Sequence, residues 1–149
     1  MKMKIAIGCD PNAQKAKEEL IIYINKKEYG DITDFGSEDT IYAHVAIKVA
    51  EEVAAKKYDC GILICGTGIG VSLAANKVKG AYAALAYDVY TAQRARLSND
   101  ANILCMGAFT TGSKTREMMV DEFLTKEFVP GCASQPKVDS FVAYDQKRG

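Results

Sequence analysis

A short apolar run that ends in a glycine-rich loop constrains the fold more than any other part of this sequence. The run spans residues 61–65, the loop spans 66–70, and a helix-forming stretch follows at 71–77. A buried strand that passes through glycines into a helix places several backbone N–H groups around one point. Such a point binds a phosphate group or an oxyanion, and the thiol of Cys65 lies beside it at the end of the predicted strand.

Short apolar runs alternate with stretches of helical periodicity along the rest of the chain. Strands are predicted at residues 4–9, 31–35, 61–65, 81–86 and 102–107. Between residues 42 and 54 the apolar positions follow the i, i+3, i+4, i+7 spacing of an amphipathic helix. Five β–α units in series predict an α/β fold of three layers, α/β/α, with a Rossmann-like five-stranded parallel sheet.

Open parallel sheets bind their ligands at the carboxyl ends of the strands. In this chain that edge is predicted to collect Cys9, Asp10, Cys65 with its loop, Tyr87, Asp88 and the segment after Gly107. We therefore expect the functional site at this edge of the sheet.

The composition changes near the carboxyl terminus, after Pro130 and Gly131. We expect residues 1–130 to form a single α/β domain and residues 131–149 to form a tail. Val138, Phe141 and Val142 indicate a short amphipathic helix in that tail. It is predicted to pack on its own domain or on a neighbouring subunit.

Charge and cysteine content exclude several classes of function. The 19 basic and 19 acidic side chains cancel, so nucleic acid and membrane surfaces are not expected partners. The five cysteines show no Cys-x-x-Cys spacing, which argues against a zinc site and a disulfide framework. The cysteines indicate a reducing compartment, the cytoplasm, and no metal site is predicted.

Three familiar phosphate-binding motifs fail at the glycine loop. The dinucleotide fingerprint needs a third glycine at position 71, which is Val71. A P-loop needs a lysine, and none lies in the loop. A cysteine phosphatase would carry an arginine six residues after its nucleophile, and that position is again Val71. What remains is a cysteine at a strand end with backbone donors arranged for a small anion.

The sequence around the loop matches a known family. Residues 65–70 are Cys-Gly-Thr-Gly-Ile-Gly, and residues 74–77 are Ala-Ala-Asn-Lys. Shorter matching segments lie at residues 8–10, 34–36, 88–92 and 99–102. Together they strongly resemble the signature of the ribose-5-phosphate isomerase B and galactose-6-phosphate isomerase subunit family, from residue 4 to about residue 138.

This resemblance implies an aldose–ketose isomerase that acts on a phosphorylated sugar without a metal or a cofactor. It also implies a homodimer or homotetramer with sites at subunit boundaries. A thiolate at Cys65 would move a proton between neighbouring carbons through a cis-enediolate, because a helix N-terminus favours the thiolate. Thr67 would carry protons between the two substrate oxygens. The substrate-binding residues are predicted to be Asp10, Pro11, Tyr42, Gly66, Gly68, Ile69, Gly70, Ser98, Asn99 and Lys137.

The chain departs from the family pattern at several of these positions. Family members usually carry histidines where this chain has Pro11 and Ser98, and two arginines near Cys132 and Lys137. The second histidine is linked to opening of the sugar ring, and serine cannot act as an acid or base near neutral pH. Either another group opens the ring, or the substrate has no ring to open.

The sequence leaves two candidate substrates, and it also leaves two alternatives to an active isomerase. A tetrose phosphorylated on carbon 4 cannot close a furanose ring, and the pattern resembles the family offshoot that isomerises erythrulose 4-phosphate; ribose 5-phosphate is the other substrate. A catalytically silent phosphosugar-binding or partner subunit would explain the lost histidines, although the retained Cys65 argues against it. A flavodoxin-like flavin or nucleotide binder fits the fold class but not the loop.

Overall fold

Five parallel strands with helices on both faces form the protein. The structure, a computed structural model, describes residues 2–149, and Met1 of the predicted first domain lies outside them. The strands are β1 (Lys4–Cys9), β2 (Asp31–Asp34), β3 (Cys60–Cys65), β4 (Ala83–Leu85) and β5 (Ile103–Gly107). The helices are α1 (Gln14–Lys27), α2 (Tyr42–Ala54), α3 (Ile69–Ala75), α4 (Val89–Leu97), α5 (Ser113–Thr125) and α6 (Gln135–Gln146). The predicted fold class is confirmed.

The order of the strands opens a crevice at one edge of the sheet. They lie in the order β2-β1-β3-β5-β4, and every neighbouring pair is parallel. After β1 the chain turns toward β2, whereas after β3 it turns toward the opposite side of the sheet. The loops that leave these two adjacent strands therefore diverge, and the space between them is where open α/β sheets bind ligands.

Alternation of side chains along β3 divides the core into two layers. All six residues of β3 are buried. Ile62 and Ile64 pack with α1, α4 and α5 on one face, whereas Leu63 and Cys65 pack with α2 and α3 on the other. This alternation directs the Cys65 side chain to the face that carries α2 and the glycine loop.

Some element boundaries differ from those predicted. Helix α3 begins at Ile69, two residues earlier than expected, because Gly68 makes a left-handed turn (φ 83°) directly before it. Strand β4 has three residues rather than six. The N–H of Tyr82 donates to the side chain of Asn102 and that of Ala83 to the side chain of Asn76, both at 2.8 Å, so side chains satisfy these two backbone donors at the start of the strand.

Helix α6 lies against its own chain beside β4. The Asp145 carboxylate is buried and accepts hydrogen bonds from the Gly80 N–H and the Tyr82 hydroxyl, both at 2.8 Å, and from Arg148 Nε at 2.7 Å. Burial raises the pKa of Asp145, but these hydrogen bonds outweigh it and leave the pKa below its ordinary value. The Phe141 ring packs 5.7 Å from that of Tyr82. A hydrogen-bonded carboxylate thus anchors the tail.

Candidate active site

A cavity of about 540 Å³ occupies the crevice at the carboxyl ends of β1 and β3. Its walls come from the loops that follow β1, β3 and β5 and from the first turns of α2 and α3. The lining residues are Asp10, Asn12, Thr40, Tyr42, Cys65, Gly66, Thr67, Ile69, Gly70, Leu73 and Phe109. The strand order thus brings residues from distant parts of the chain together around Cys65, the predicted base.

Cys65 is the one thiol among the residues that line the cavity. It is the last residue of β3, and its side chain is only 5% exposed. The Gly68 N–H donates a hydrogen bond to Cys65 Sγ at 3.1 Å. The backbone of the loop thus fixes the position of this sulfur at the wall of the cavity.

The other strand cysteines lie outside the cavity, and burial disfavours their thiolate forms. Burial raises the pKa of Cys9 to about 12, although nearby Lys17 lowers it, and burial raises the pKa of Cys60 to about 12. Burial, with the neighbouring Cys65, also raises the pKa of Cys105 far above its ordinary value. These thiols stay protonated near neutral pH, and none of them lines the cavity.

The turn at Gly68 requires glycine. Its φ of 83° is left-handed, and a Cβ there would lie 2.8 Å from the carbonyl carbon of Met106. Just before this turn, the N–H groups of Gly66 and Thr67 take no part in the backbone hydrogen bonds of residues 2–149. The Thr67 hydroxyl accepts the Ile69 N–H at 3.2 Å. Two backbone donors are thus available for an anion beside Cys65.

Tyr42 lies over the same loop from the opposite side. A Cβ on Gly70 would approach the Tyr42 ring to 2.3 Å, so only glycine permits this contact. The turn before α2 fixes the tyrosine, because the Asp39 carboxylate accepts the Ile41 N–H at 2.8 Å and pairs with His44 Nδ1 at 2.7 Å. The same two hydrogen bonds lower the pKa of Asp39.

Asp10 supplies a carboxylate at the end of β1. It is 6% exposed and accepts hydrogen bonds from the backbone N–H of Asn12 at 3.1 Å and from its side-chain amide at 3.3 Å. These bonds cap the 3₁₀ turn Pro11–Ala13, in which Pro11 occupies the first position. Asp10 is thereby held facing the cavity, whereas Pro11 shapes the turn and does not line the cavity.

Charges are sparse around the cavity. Asp10 is its one acidic lining residue, and no lysine or arginine of residues 2–149 lines it. The same part of the chain contains no cluster of three or more histidine, cysteine, aspartate or glutamate residues that would hold a metal ion. An anion in this cavity would meet neutral hydrogen-bond donors.

Most of the predicted site residues come together here. Seven of them line the cavity: Asp10, Tyr42, Cys65, Gly66, Thr67, Ile69 and Gly70. Gly68 stands behind the loop and donates to Cys65. The site also includes residues that the sequence analysis did not name, Asn12, Thr40, Leu73 and Phe109. Asn12 and Phe109 each lie within three residues of a strand end, so the carboxyl-edge rule pointed to their segments without identifying the side chains.

Three predicted residues lie away from the cavity of their own chain. The Ser98 hydroxyl accepts Arg94 Nε at 2.7 Å, and Asn99 lines a separate cavity of about 270 Å³ beside β4. Lys137 lies in the first turn of α6. Their roles in substrate binding stay predictions, and they require a second chain that brings these residues to the site.

The geometry agrees with the comparison to known proteins. A family model described as Ribose/Galactose Isomerase matches residues 5–141. The chain belongs to the ribose/galactose isomerase family. Ribose-5-P isomerase B of Listeria innocua is 47% identical over 148 residues, which cover 97% of this chain and 99% of that protein. D-erythrulose-4-phosphate isomerase 2 of Mycolicibacterium smegmatis is 42% identical over 150 residues, with the same coverage.

Solved structures of the ribose/galactose isomerase family share the fold over the whole chain. The type B ribose 5-phosphate isomerase of Trypanosoma cruzi has a TM-score of 0.91 at 38% identity, and each chain is covered completely. The predicted family and the prediction that the chain is an isomerase are thereby confirmed at the level of the family.

Proposed function

We propose that the chain interconverts a phosphorylated aldose and its ketose through a cis-enediolate, with Cys65 as the base that moves the proton. One observation carries this proposal: Cys65 Sγ accepts the Gly68 N–H at 3.1 Å in a cavity lined by the loop that follows it. The similar proteins from Listeria innocua and Mycolicibacterium smegmatis, which bear the names of phosphosugar isomerases, support the reaction class.

The arrangement supports a balanced sequence of proton transfers. The Cys65 thiolate removes the proton from carbon 2 of the aldose, and the electron pair of that bond leaves the negative charge on the oxygen of carbon 1. The Thr67 hydroxyl moves a proton from the oxygen of carbon 2 to that of carbon 1. The Cys65 thiol then returns its proton to carbon 1, which yields the ketose and the thiolate.

Backbone donors and polar side chains support the intermediate. The N–H groups of Gly66 and Thr67 would stabilise the enediolate charge, and one such donor contributes about 10²- to 10³-fold to a rate. Asp10 is held by Asn12, so its carboxylate can accept a hydrogen bond from a sugar hydroxyl. The Tyr42 ring closes the opposite wall against Gly70.

The absence of an imidazole at the cavity favours an acyclic tetrose 4-phosphate over a cyclic pentose as the proposed substrate. The one histidine of the chain, His44, pairs with exposed Asp39 and does not line the cavity, and Pro11 and Ser98 supply no imidazole. Without an imidazole to open a ring, erythrulose 4-phosphate is the first proposed substrate and ribose 5-phosphate the second. The names of the two relatives cover both kinds of sugar.

A homodimer or homotetramer with sites at subunit boundaries completes the proposal. Ile69 and Leu73 are exposed apolar residues at the rim of the cavity, where a second chain would cover them. Such a partner would bring Ser98, Asn99 or Lys137 to the site. A catalytically silent binding or partner subunit is the alternative, and the experiment below separates the two.

The proposed location is the cytoplasm. All five cysteines are free, four of them buried, as expected where thiols are kept reduced. Among residues 2–149 there is no helix with both the length and the apolar character to cross a bilayer.

Proton NMR in deuterium oxide tests the reaction directly. The purified protein is offered ribose 5-phosphate and erythrulose 4-phosphate separately, beside Cys65→Ala and the control Cys132→Ser, which alters a partly exposed thiol in the tail. We expect aldose–ketose conversion with solvent deuterium at carbon 1 or 2, lost in Cys65→Ala and kept in Cys132→Ser. Binding of both sugars without exchange would contradict the proposal and favour the silent subunit.

A further inference from the structure

A second cavity adjoins the first between α1 and α5. It has a volume of about 350 Å³ and lies where β1 and β5 end. Its lining residues are Asn12, Lys15, Ala16, Glu19, Ala108, Phe109, Ser113 and Arg116. Asn12 and Phe109 also line the cavity of Cys65, so the two spaces share a wall.

Arg116 is a buried cation with unused donors. It is 7% exposed, its Nη1 donates to the carbonyl oxygen of Thr111, and its Nη2 lies 3.8 Å from a Glu19 oxygen. A guanidinium has five N–H donors, and those on Nε and Nη2 make no hydrogen bond within residues 2–149. Every fully buried side-chain nitrogen of residues 2–149 has a hydrogen-bond partner. Because Nε and Nη2 of Arg116 have none, these two atoms are not fully buried and can be reached from the cavity.

The charge of this cavity is positive. Lys15 and Arg116 oppose one carboxylate, Glu19, whose side chain is 43% exposed and therefore partly screened by water. Lys15 forms no ion pair with any residue of 2–149. The buried guanidinium of Arg116 has one carboxylate within ion-pair distance, the partly exposed Glu19 at 3.8 Å, and it gains from an additional anion.

The first turn of α5 adds neutral donors to the same cavity. The helix has 13 residues, begins at Ser113 and has Gly112 as its N-cap, with no side-chain cap. Uncapped N–H groups at the start of a helix favour an anion, and here they lie beside the Arg116 side chain. The cavity thus offers the positive charges that its neighbour at Cys65 lacks, together with further neutral donors.

Phe109 connects the two cavities. Its N–H donates to the Gly66 carbonyl at 2.9 Å, and the Ala108 N–H donates to that of Cys65 at 2.8 Å, so the turn after β5 is bound to the catalytic loop. The Phe109 ring lies over Gly66, where a Cβ would approach it to 3.0 Å. An extended substrate with its carbonyl at Cys65 can pass this ring and place its other end between α1 and α5.

We propose that the α1–α5 cavity binds the phosphate group of the sugar, with Arg116 and Lys15 as its countercharges and Phe109 between the phosphate and the reacting carbons. This inference rests on the proposed function for the identity of the substrate, although binding of a tetrahedral dianion can be measured without turnover. Arg116 and Lys15 act within the chain, in addition to the proposed Lys137 of a second chain.

Titration with inorganic phosphate by calorimetry, at low and at physiological salt, tests the site without any catalysis. We expect Lys15→Gln to raise the dissociation constant about three- to tenfold and Glu19→Gln to lower it by a similar factor, the effect of one partly screened charge. Lys114→Gln is the matched control: it removes the same charge from α5, but Lys114 pairs with Glu117 and does not line the cavity.

Arg116→Gln should abolish measurable phosphate binding. Arg116 also holds Thr111, so its replacement can destabilise the fold; Lys15 is exposed and Glu19 is only partly buried, and their variants keep the test decisive. Equal dissociation constants for Lys15→Gln, Glu19→Gln and Lys114→Gln would overturn the proposal. It would also be overturned if Lys137→Gln were the one variant that loses phosphate binding, or if phosphate binding disappeared at physiological salt.

Turnover separates this inference from the proposed function. With an active enzyme, Lys15→Gln should raise KM for the phosphosugar about three- to tenfold and change kcat less than twofold, as expected for a group that binds substrate and transition state equally. If the protein shows no turnover, the phosphate dissociation constants of the parent protein and the variants still test the site without the proposed function.

Discussion

Two cavities of nearly equal size lie at opposite edges of the same sheet. The one at the carboxyl edge, about 540 Å³, holds Cys65 and its glycine loop. The one at the amino edge, about 550 Å³, is lined only by charged residues: Lys2, Lys4, Asp31, Lys56, Lys57 and Asp59. Volume therefore does not distinguish a site from a surface depression, and the difference lies in how each group is held.

The amino-edge charges are solvated and loosely paired. Lys2 and Asp31 lie 3.9 Å apart with side chains 66% and 67% exposed, and such pairs contribute about 0–1 kcal/mol. One amino-edge carboxylate, Asp59, accepts a backbone N–H, that of Lys4 at 2.7 Å, whereas at the carboxyl edge backbone N–H groups hold both Cys65 and Asp10. In a parallel sheet every strand passes into a helix N-terminus at this edge, so unused N–H groups gather there and can bind anions.

Alkylation of thiols should give the largest effect, at Cys65 of the carboxyl-edge cavity. In a Cys132→Ser background, iodoacetamide should modify Cys65 alone and abolish isomerisation, because Cys9, Cys60 and Cys105 are buried and protonated. Peptide mass spectrometry and activity are followed together. Retained activity after complete modification of Cys65 would contradict its role as the base.

Gly70→Ala should give the next largest effect. The new methyl would need the space of the Tyr42 ring, 2.3 Å away, and a displacement of about 1 Å in a catalytic loop costs about 100-fold in kcat/KM. The control is Gly112→Ala, where a Cβ meets nothing within 4 Å and φ is −83°. If both variants keep full activity, the contact between Tyr42 and the loop does not shape the site.

Asp145→Asn should weaken the attachment of α6. A buried carboxylate that accepts three hydrogen bonds is replaced by an amide, which should cost about 1–3 kcal/mol in the free energy of unfolding. Asp139→Asn is the control on the same helix, since Asp139 is exposed and accepts only from Gln135. Urea denaturation of the three proteins compares them; an equal loss in both variants would rule out the anchor.

The same carboxylate gives the tail an acid sensitivity. The pKa of Asp145 is lower in the folded protein than in the unfolded chain, so its contribution to stability is complete above about pH 4, the ordinary range of a carboxyl group. It is lost as the pH falls through the lowered, folded-state pKa. Unfolding curves between neutral and acid pH should show a larger loss of stability in the parent protein than in Asp145→Asn, because other carboxylates with lowered pKa values, such as Asp39, titrate in both.

Lys57→Ala at the amino edge should give the smallest effect. Lys57 is exposed and lies 3.6 Å from Glu52, so removal of the pair should change the free energy of unfolding by less than about 0.5 kcal/mol. Isomerase activity should stay unchanged. A loss of activity in this variant would show that the amino-edge cavity takes part in function after all.

The glycine loop and the fold class follow from the sequence, because their signals are local. The apolar run before Cys65 predicts a buried strand, and the glycines after it permit only a tight turn into a helix. Those two features bring the Gly68 N–H to Cys65 Sγ without help from distant segments. The alternation of strands and helices determines the three layers in the same way.

Contacts between distant segments were decided only by the tertiary structure. The sequence does not indicate that β5 lies between β3 and β4, and this order is what places Phe109 against Gly66. Nor does any motif mark Arg116, whose burial beside Glu19 depends on the packing of α5 on α1. Local periodicity determines which elements form, whereas the charge and shape of a cavity depend on side chains that meet across the fold.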